Sequence, residues 1–197
     1  MKEYIDLPIF PLGVVLYPGI PLDLQIFEER YLELVKTSLR NQTPFAIVPI
    51  TEGREVGPTP EIFSWGTLVS IIDWSQRDNG LLGITVSGKQ RVRIGDTHTA
   101  ADNLILANRA EVSAIEESIP VDEVNLDLLN FLNDIIEQMG GKTRHSKDSL
   151  DLNSLVWQLA YMLPIEYQDK CRLLTYDDPQ ERTLFLKQLL WRMSHKK

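Results

Sequence analysis

The sequence is poor in the residues that disulfides and metal centres require. Cys171 is the only cysteine, so no internal disulfide can form, and this usage is typical of a reducing compartment. The three histidines, His98, His145 and His195, are far apart, and no two of them have the spacing of a metal-ligand pair. We therefore expect neither a disulfide framework nor a metal site.

The sequence also lacks an excess of positive charge. It has 20 basic and 28 acidic residues, a net charge of -8 and a pI of about 4.9. Divided at residue 115, each half carries 10 basic and 14 acidic residues, so neither half forms a basic patch. Nucleic acids and anionic lipid surfaces are bound through such patches. Neither nucleic acid nor a membrane is therefore expected as a partner.

No apolar run is long and continuous enough to suggest a membrane span. The uncharged stretch Leu7–Leu22 is interrupted by prolines at positions 8, 11, 18 and 21. It is also shorter than the ~20 residues that a spanning helix needs, and it lacks the small-residue cleavage site of a signal peptide. We expect a cytoplasmic protein, in which this stretch forms short buried strands joined by rigid bends.

Residues 1–115 have the pattern of a lobe rich in β-strands, with one helix. The helix is expected from Glu28 to about Arg40, where apolar residues recur at helical spacing. Asn79-Gly80 is a strong hairpin signal, and a second turn is expected at Ser87–Gln90. Short strands at close spacing favour a small antiparallel barrel; the expected strands are 22–26, 45–50, 62–74, 81–86, 91–94 and 104–112.

Residues 116–197 have the pattern of a helical lobe, so the expected fold class is α+β. A helix is predicted over Val121–Met139 and ends at Gly140-Gly141. A second helix, capped by Asp151 or Asn153, is predicted to end at Leu163, and a short one is predicted over Ile165–Leu174. A final helix is predicted after Asp178, where Pro179 occupies the first helical position.

Sequence motifs for catalysis or cofactor binding are almost absent. Gly141-Lys142-Thr143 matches the end of a phosphate-binding loop, but the leading glycine position is Ile136, inside a predicted helix. Cys171 lies beside Lys170 and Arg172, yet no base is placed near it, so we expect a packed thiol. The G-x-S-x-G elbow does not occur. We expect no enzymatic activity and no cofactor.

Two sets of residues are candidates for contact with a partner. The chain has four tryptophans; Trp157 and Trp191 lie on apolar helix stripes and are expected in the core or between the lobes. Trp65 and Trp74 lie near the ends of one predicted strand, where a partly exposed indole can anchor a partner. The second set, at the start of the first helix, is Phe27, Glu29 and Arg30. The alternative for this set is that negative charge simply favours a helix amino terminus.

An ordered series of short motifs resembles the amino-terminal domain of Lon protease, the substrate-binding domain of the ATP-dependent protease La. The series begins with PIFPLG, YPG and PL…IFE.RY in residues 8–31 and continues with Gly66-Thr67 and ITVSGKQRVRI at residues 84–94. In the carboxy-terminal lobe it includes Leu163-Pro164, Lys170, Leu173-Leu174, Asp177 or Asp178, and Arg182. The resemblance covers about the whole chain and implies a PUA-like antiparallel β pseudobarrel followed by a helical bundle, together one domain.

The resemblance also implies a function. Full-length Lon proteases carry an ATPase domain and a Ser-Lys peptidase domain after this region, and the chain ends at Lys197 before either begins. We therefore expect a non-catalytic module that binds unfolded or degron-bearing polypeptides, alone or with an ATP-dependent protease on another chain. Apolar pockets and unpaired strand edges would bind such segments. The alternative is an RNA or small-molecule binder, since PUA-like folds elsewhere bind RNA, and an unrecognised hydrolase is a third hypothesis.

Overall fold

The structure is a computed structural model that describes residues 2–142 and 144–195. The chain divides into two compact units, Met1–Ala114 and Ile115–Lys197, and each is described by itself. Over the described residues, no helix combines the length and the apolar composition that crossing a membrane requires.

The first unit consists of ten strands and one helix, α1 (Glu29–Asn41). The strands are β1 (Glu3–Tyr4), β2 (Leu7–Leu12), β3 (Pro21–Ile26), β4 (Phe45–Glu52), β5 (Glu61–Ile62), β6 (Trp65–Gln76), β7 (Leu82–Ile94), β8 (Thr97–Thr99), β9 (Ile105–Ala107) and β10 (Ala110–Val112). The second unit is helical, with a short 3-10 turn (Glu123–Asn125) followed by α2 (Leu126–Gln138), α3 (Leu152–Met162), α4 (Tyr167–Leu173) and α5 (Pro179–His195). The α+β class is confirmed.

The strands of the first unit form a closed ring. The sheet path runs β1-β10-β7-β6-β4-β2-β9-β8. The path closes because β1 and β2 are parts of one stretch, which bends at Asp6 with a φ of 51°. β9 and β10 are parts of a second stretch, and the two stretches pair with each other. The interior is apolar and buried, formed by Leu7, Ile9, Ala46, Val48, Leu68, Val92, Ile94, Ile105, Ala107, Ala110 and Val112. The expected pseudobarrel is confirmed, with one parallel pair, β2 with β4.

The prolines of β2 lie where the strand has a partner on one side only. Pro8 lies in the segment that pairs with β9, and Pro11 lies in the segment that pairs with β4. Proline has no N–H to donate to a ladder, so it fits best where one side of a strand is unpaired. The expected short buried strand is thus present, while residues 13–20 continue as irregular chain.

The turn expected at Ser87–Gln90 is wrong, because β7 runs without interruption from Leu82 to Ile94. The ladder with β6 skips Lys89, which is a β-bulge. Gly88 is required there for another reason: it exchanges backbone hydrogen bonds with Gly19 and Ile20 at 3.0 Å each. A Cβ on Gly88 would lie 2.2 Å from the Tyr17 carbonyl oxygen. The glycine permits a close backbone approach rather than a change of direction.

Two other expectations about the strands need correction. The single strand expected over 104–112 is divided into β9 and β10, and β8 lies between residues 94 and 104, where no strand was expected. By contrast, the Asn-Gly hairpin is confirmed. Gly80 has a φ of 81°, and the Arg77 N–H donates to the Leu81 carbonyl at 2.9 Å.

Three helix ends of the second unit follow the sequence signals, whereas α2 begins at Leu126, after the 3-10 turn, and not at the predicted Val121. Asp151 caps α3, since its Oδ1 accepts from the N–H groups of Asn153 at 2.9 Å and Ser154 at 3.2 Å. Asp178 accepts from the Gln180 N–H at 2.8 Å at the start of α5. Gly140 follows α2 with a φ of 81°, which is the left-handed conformation that ends many helices.

A buried charge network connects the segment before α2 to α3 and α5. Arg182 has no exposed surface, and its guanidinium holds both Glu116 oxygens, with Nη2 2.6 Å from Oε1 and Nη1 3.0 Å from Oε2. Its Nη1 also donates to Asn153, and Trp157 stacks on it with 4.0 Å between the guanidinium carbon and the ring centroid. Removing one partner from such a pair leaves an uncompensated buried charge.

Gly88→Ala should destabilise the protein by about 2 kcal/mol, because the added methyl group clashes with a backbone carbonyl that cannot move alone. Gly13→Ala is the matched control, since its Cβ would meet only the end of the Glu55 side chain at 3.2 Å. Chemical denaturation monitored by circular dichroism measures both. Equal midpoints for the two variants would contradict the close approach at Gly88.

Glu116→Gln should lower the free energy of unfolding by about 3 kcal/mol, because the Arg182 charge remains buried without its counterion. Adding Arg182→Met to this variant should recover part of the loss. Glu33→Gln is the control: Glu33 pairs with Lys36 at 3.4 Å on the surface, and its loss should cost less than about 0.5 kcal/mol. Similar losses for Glu116→Gln and Glu33→Gln in urea denaturation would refute this role of the network.

Candidate functional site

Part of the sheet extends beyond the closed ring as a three-stranded ribbon. It consists of β3, the first half of β7 and the second half of β6, and we call residues 21–26, 70–76 and 82–87 the ribbon. β7 is its central strand and pairs with both others. Since β4 pairs with β6 only at Thr67–Val69, residues 70–76 of β6 have a partner on one side only among the described strands. The outer side of β3 is likewise open.

Opposite residues of an antiparallel ladder share a face, so the register assigns the side chains of the ribbon. One face is apolar, with rows Leu22–Val86–Ile71, Leu24–Ile84–Trp74 and Ile26–Leu82–Gln76. The other face is polar, with rows Asp23–Thr85–Asp73 and Gln25–Gly83–Ser75. A hydrogen bond from the Thr85 hydroxyl to the Asp23 carboxylate connects two strands on the polar face.

Exposure increases from the centre of the apolar face to the β6 edge. Ile84 and Val86 on the central strand are fully buried, whereas Trp74 is 61% exposed. Ile72, which the ladder skips as a bulge, is 56% exposed. Two large apolar side chains therefore lie together at an open strand edge, an arrangement that soluble proteins usually avoid or use for binding.

The backbone at this edge is available for pairing. The Arg77 N–H points towards the returning strand, since it donates to Leu81. Amide directions alternate along a strand, so the amides of Ser75 and Asp73 point inward and those of Gln76 and Trp74 point to the open edge. Consistent with this, the Trp74 N–H donates to the Asp73 side chain, with 2.8 Å between N and Oδ1. The edge amide is satisfied by its own neighbour.

The structure brings two of the five candidate residues to the ribbon. Phe27 is 56% exposed and directly follows Ile26, which pairs with Leu82 of the central strand. Trp74 pairs with Ile84, two residues further along the same strand. Phe27 and Trp74 therefore lie at the same end of the ribbon. Trp65 lies at the other end of β6, roughly 30 Å away at ~3.3 Å per residue. It is half-buried and stacks with Arg91, whose guanidinium carbon lies 5.4 Å from the ring centroid.

Glu29 and Arg30 lie at a separate place, beside a cavity of about 420 Å³ that is lined also by residues 28, 57–59, 102 and 103. Glu29 is exposed, but Arg30 is only 7% exposed. Its Nη1 donates to the Asn103 carbonyl at 2.9 Å, and its Nη2 lies 2.8 Å from Glu28. Arg30 thus fastens the start of α1 to the 100–103 loop. Contact of Glu29 and Arg30 with a partner stays a prediction.

Two features of this surface were not foreseen from the sequence. The bulge at Ile72 lies in the ladder with β7, and the edge of β6 is open because β4 begins at Phe45, opposite Val69. No local pattern in the sequence reports either feature. Of the two alternatives for Trp191, the core is wrong, since this residue is 63% exposed and stacks on His195. Trp157 is 2% exposed, as expected of a core residue.

Groups capable of chemistry are not assembled into a site. Among residues 2–142 and 144–195, no three His, Cys, Asp or Glu side chains are grouped so that they could hold a metal ion. Gly141 and Lys142 follow the end of α2 after Met139 and Gly140, and Thr143 of the phosphate-loop match lies outside the described residues. Cys171 is 4% exposed, and burial raises the pKa of its thiol to about 11. Such a thiol is a poor nucleophile.

Comparison with known families gives one match along most of the chain. The model of the family described as "ATP-dependent protease La (LON) substrate-binding domain" matches residues 6–192. Among curated relatives, the Lon protease of Buchnera aphidicola subsp. Acyrthosiphon pisum is 24% identical over 94% of this chain and 25% of its own length. The Lon protease of Escherichia coli K12 is 25% identical over 94% of this chain and 24% of its own length. The chain thus spans about a quarter of these relatives.

Solved structures with the same architecture cover the chain more evenly. The Lon N-terminal domain protein from Xanthomonas campestris is 27% identical, with a TM-score of 0.76 over 96% of this chain and 98% of that one. The N-terminal domain of Mycobacterium avium complex Lon protease has a TM-score of 0.62 over 98% of this chain and 100% of that one. At 19% identity, the second likeness concerns the fold alone.

Cys171 should resist alkylation by iodoacetamide at pH 8 in the folded protein and react fully in 6 M guanidinium. Raising the pKa from 9.0 to about 11 leaves about 100-fold less thiolate, in addition to steric protection. Because the folded state retains this proton, the stability that it contributes is present below pH 9 and lost as pH rises to about 11. Mass spectrometry measures the labelling, and rapid labelling of the folded protein would contradict the burial.

Proposed function

The chain belongs to the Lon substrate-binding domain family, and we propose that it binds exposed segments of other polypeptides without hydrolysing them. Family membership supports binding of protein substrates as the general class of function. The more specific parts of the proposal are that unfolded or degron-bearing polypeptides are the ligands and that the ribbon is the surface. Delivery of these ligands to an ATP-dependent protease on another chain is a further part of it.

One observation carries the proposal: Trp74 and Ile72, two residues apart in β6, are both exposed at an open strand edge. Phe27 extends the same end of the ribbon. Aromatic side chains at an interface supply a large apolar area with little loss of conformational entropy. Unfolded polypeptides differ from folded ones chiefly in their exposed apolar side chains and unpaired backbone. The exposed apolar side chains of this surface can contact the former, and the open strand edge can pair with the latter.

The size of the surface favours weak, reversible binding. Burying the exposed parts of these three side chains would contribute a few kcal/mol at about 25 cal/mol per Å². The entropy lost by ordering a flexible segment offsets much of this gain. Micromolar affinity is therefore expected, which suits a module that must release its ligands.

Charge supports polypeptide over nucleic acid as the ligand. The chain carries a net charge of -8, and the polar face of the ribbon includes two carboxylates, Asp23 and Asp73. Phosphate backbones are bound by basic surfaces, with a steep dependence on salt. Unfolded segments that mix apolar and basic residues fit this surface better.

Trp74→Ser should weaken binding of an unfolded polypeptide at least 10-fold, because it removes the largest apolar side chain from the edge. A suitable probe is fluorescein-labelled lysozyme that has been reduced and carboxamidomethylated, measured by fluorescence anisotropy at 0.15 M salt. Trp191→Ser is the matched control, since Trp191 is 63% exposed but belongs to α5 in the other unit. The probe should also stay intact on a gel after prolonged incubation.

Three outcomes would count against the proposal. Equal weakening by Trp74→Ser and Trp191→Ser would remove the ribbon as the surface. Cleavage of the probe by the purified wild-type chain would contradict a non-catalytic role. Failure to bind the unfolded probe, combined with binding of a labelled RNA of mixed sequence that salt abolishes, would favour the alternative of an RNA binder.

A further inference from the structure

We propose that the open edge of β6, at residues 70–76, binds its polypeptide as an added antiparallel or parallel β-strand in which apolar residues alternate with basic ones. This inference rests on the proposed function and specifies both the mode of binding and the class of ligand. Addition of a strand to an exposed sheet edge gives affinity through main-chain hydrogen bonds and specificity through alternate side chains.

The edge has the length and the hydrogen-bonding groups for this mode. Residues 70–76 span ~23 Å at about 3.3 Å per residue. The amides of Trp74 and Gln76 point outward, as the inward hydrogen bond of Arg77 to Leu81 requires. Residues 72–76 are exposed, so an added strand can reach this edge without displacing other side chains.

The two faces of the ribbon determine which side chains the added strand should carry. A strand beside β6 projects its residues alternately to the apolar face next to Trp74 and to the polar face next to Asp73. An apolar side chain fits the first position, and a lysine or arginine is attracted to the carboxylate at the second. The Arg77 side chain lies over Gly83 on the central strand, whereas Asp73 lies in the row of the polar face that Thr85 and Asp23 share.

Asp73 also explains why a foreign segment is favoured over a second copy of this chain. Its Oδ1 accepts the hydrogen bond of the outward Trp74 amide, so the edge is satisfied when empty. A charged residue at an edge is a device that opposes pairing between identical sheets, since two copies would bring their carboxylates together. A basic side chain of a ligand is instead attracted to the Asp73 carboxylate.

The other open edge of the ribbon lacks these features. β3 begins with Pro21, which has no amide to donate. None of its residues is a large apolar side chain with the exposure of Trp74 or Ile72. The β6 edge is therefore the one on which exposed apolar side chains, outward-pointing amides and a carboxylate coincide.

The test compares Gln76→Pro with Gln76→Ala. Both variants lose the side-chain hydrogen bond from Gln76 Nε2 to the Gly80 carbonyl, but only proline removes the outward amide. Pairing with β7 is preserved, because a proline at an edge is tolerated when its nitrogen faces solvent. The probe is a fluorescein-labelled nine-residue peptide of alternating lysine and valine, and a peptide of equal composition with the residues in blocks is its control.

We expect Gln76→Pro to bind the alternating peptide at least 10-fold more weakly than Gln76→Ala, and the wild type to prefer the alternating peptide to the blocked one at least 10-fold. Circular dichroism verifies folding. If the proline variant does not fold, N-methylation of the peptide at each position in turn provides the second measurement on the wild-type chain. Methyl groups on alternate amides should weaken binding at least 10-fold, and those on the intervening amides should have little effect.

The outcomes separate this inference from the proposed function. If Trp74→Ser weakens binding of the unfolded probe but neither proline nor N-methylation has an effect, the segment binds by side chains alone and strand addition is refuted. If neither the unfolded probe nor the alternating peptide binds, both the proposed function and strand addition are refuted. If sedimentation detects a dimer that Gln76→Pro dissociates, the edge pairs with a second copy and the inference is overturned.

Discussion

The first unit depends on the pairing of one long strand. β7 extends over 13 residues and pairs with β6 along most of its length, with β10 near its carboxyl end and with β3 near its amino end. Buried backbone amides must be hydrogen-bonded, and β7 provides hydrogen-bonding partners to strands of both the ring and the ribbon. The bulge at Lys89 lies where this strand passes from the ribbon to the ring, and the glycine before it permits the close approach of the Tyr17 backbone.

Closure of the ring determines where edges remain. Two stretches, β1–β2 and β9–β10, each bend so that they pair twice, and the interior is thereby sealed on every side. The ribbon lies outside the closed ring. β4 pairs with β6 only at Thr67–Val69 and so does not cover residues 70–76 of β6. The exposed edge is thus a consequence of the same topology that satisfies the barrel.

The sequence predicts the parts of this structure that local patterns determine. Asn79-Gly80, the caps at Asp151 and Asp178 and the helical stripes all follow from residues close in sequence. The bulges, the two-part strands and the role of Gly88 follow from contacts between distant segments, such as that with Tyr17. For the site, exposed tryptophan is a usable signal for Trp74, but grouping it with Phe27 and separating both from Arg30 require the strand register.

An open apolar edge is a risk for aggregation as well as a means of binding, and the ribbon shows how the two are balanced. Pro21 limits pairing at β3, and Asp73 satisfies the amide of Trp74 while placing a charge beside it. A ligand that pairs with the Trp74 amide must displace that internal hydrogen bond, so the net gain at this position is small. Selectivity then depends on the side chains that meet Trp74 and Asp73, and affinity stays low enough for release.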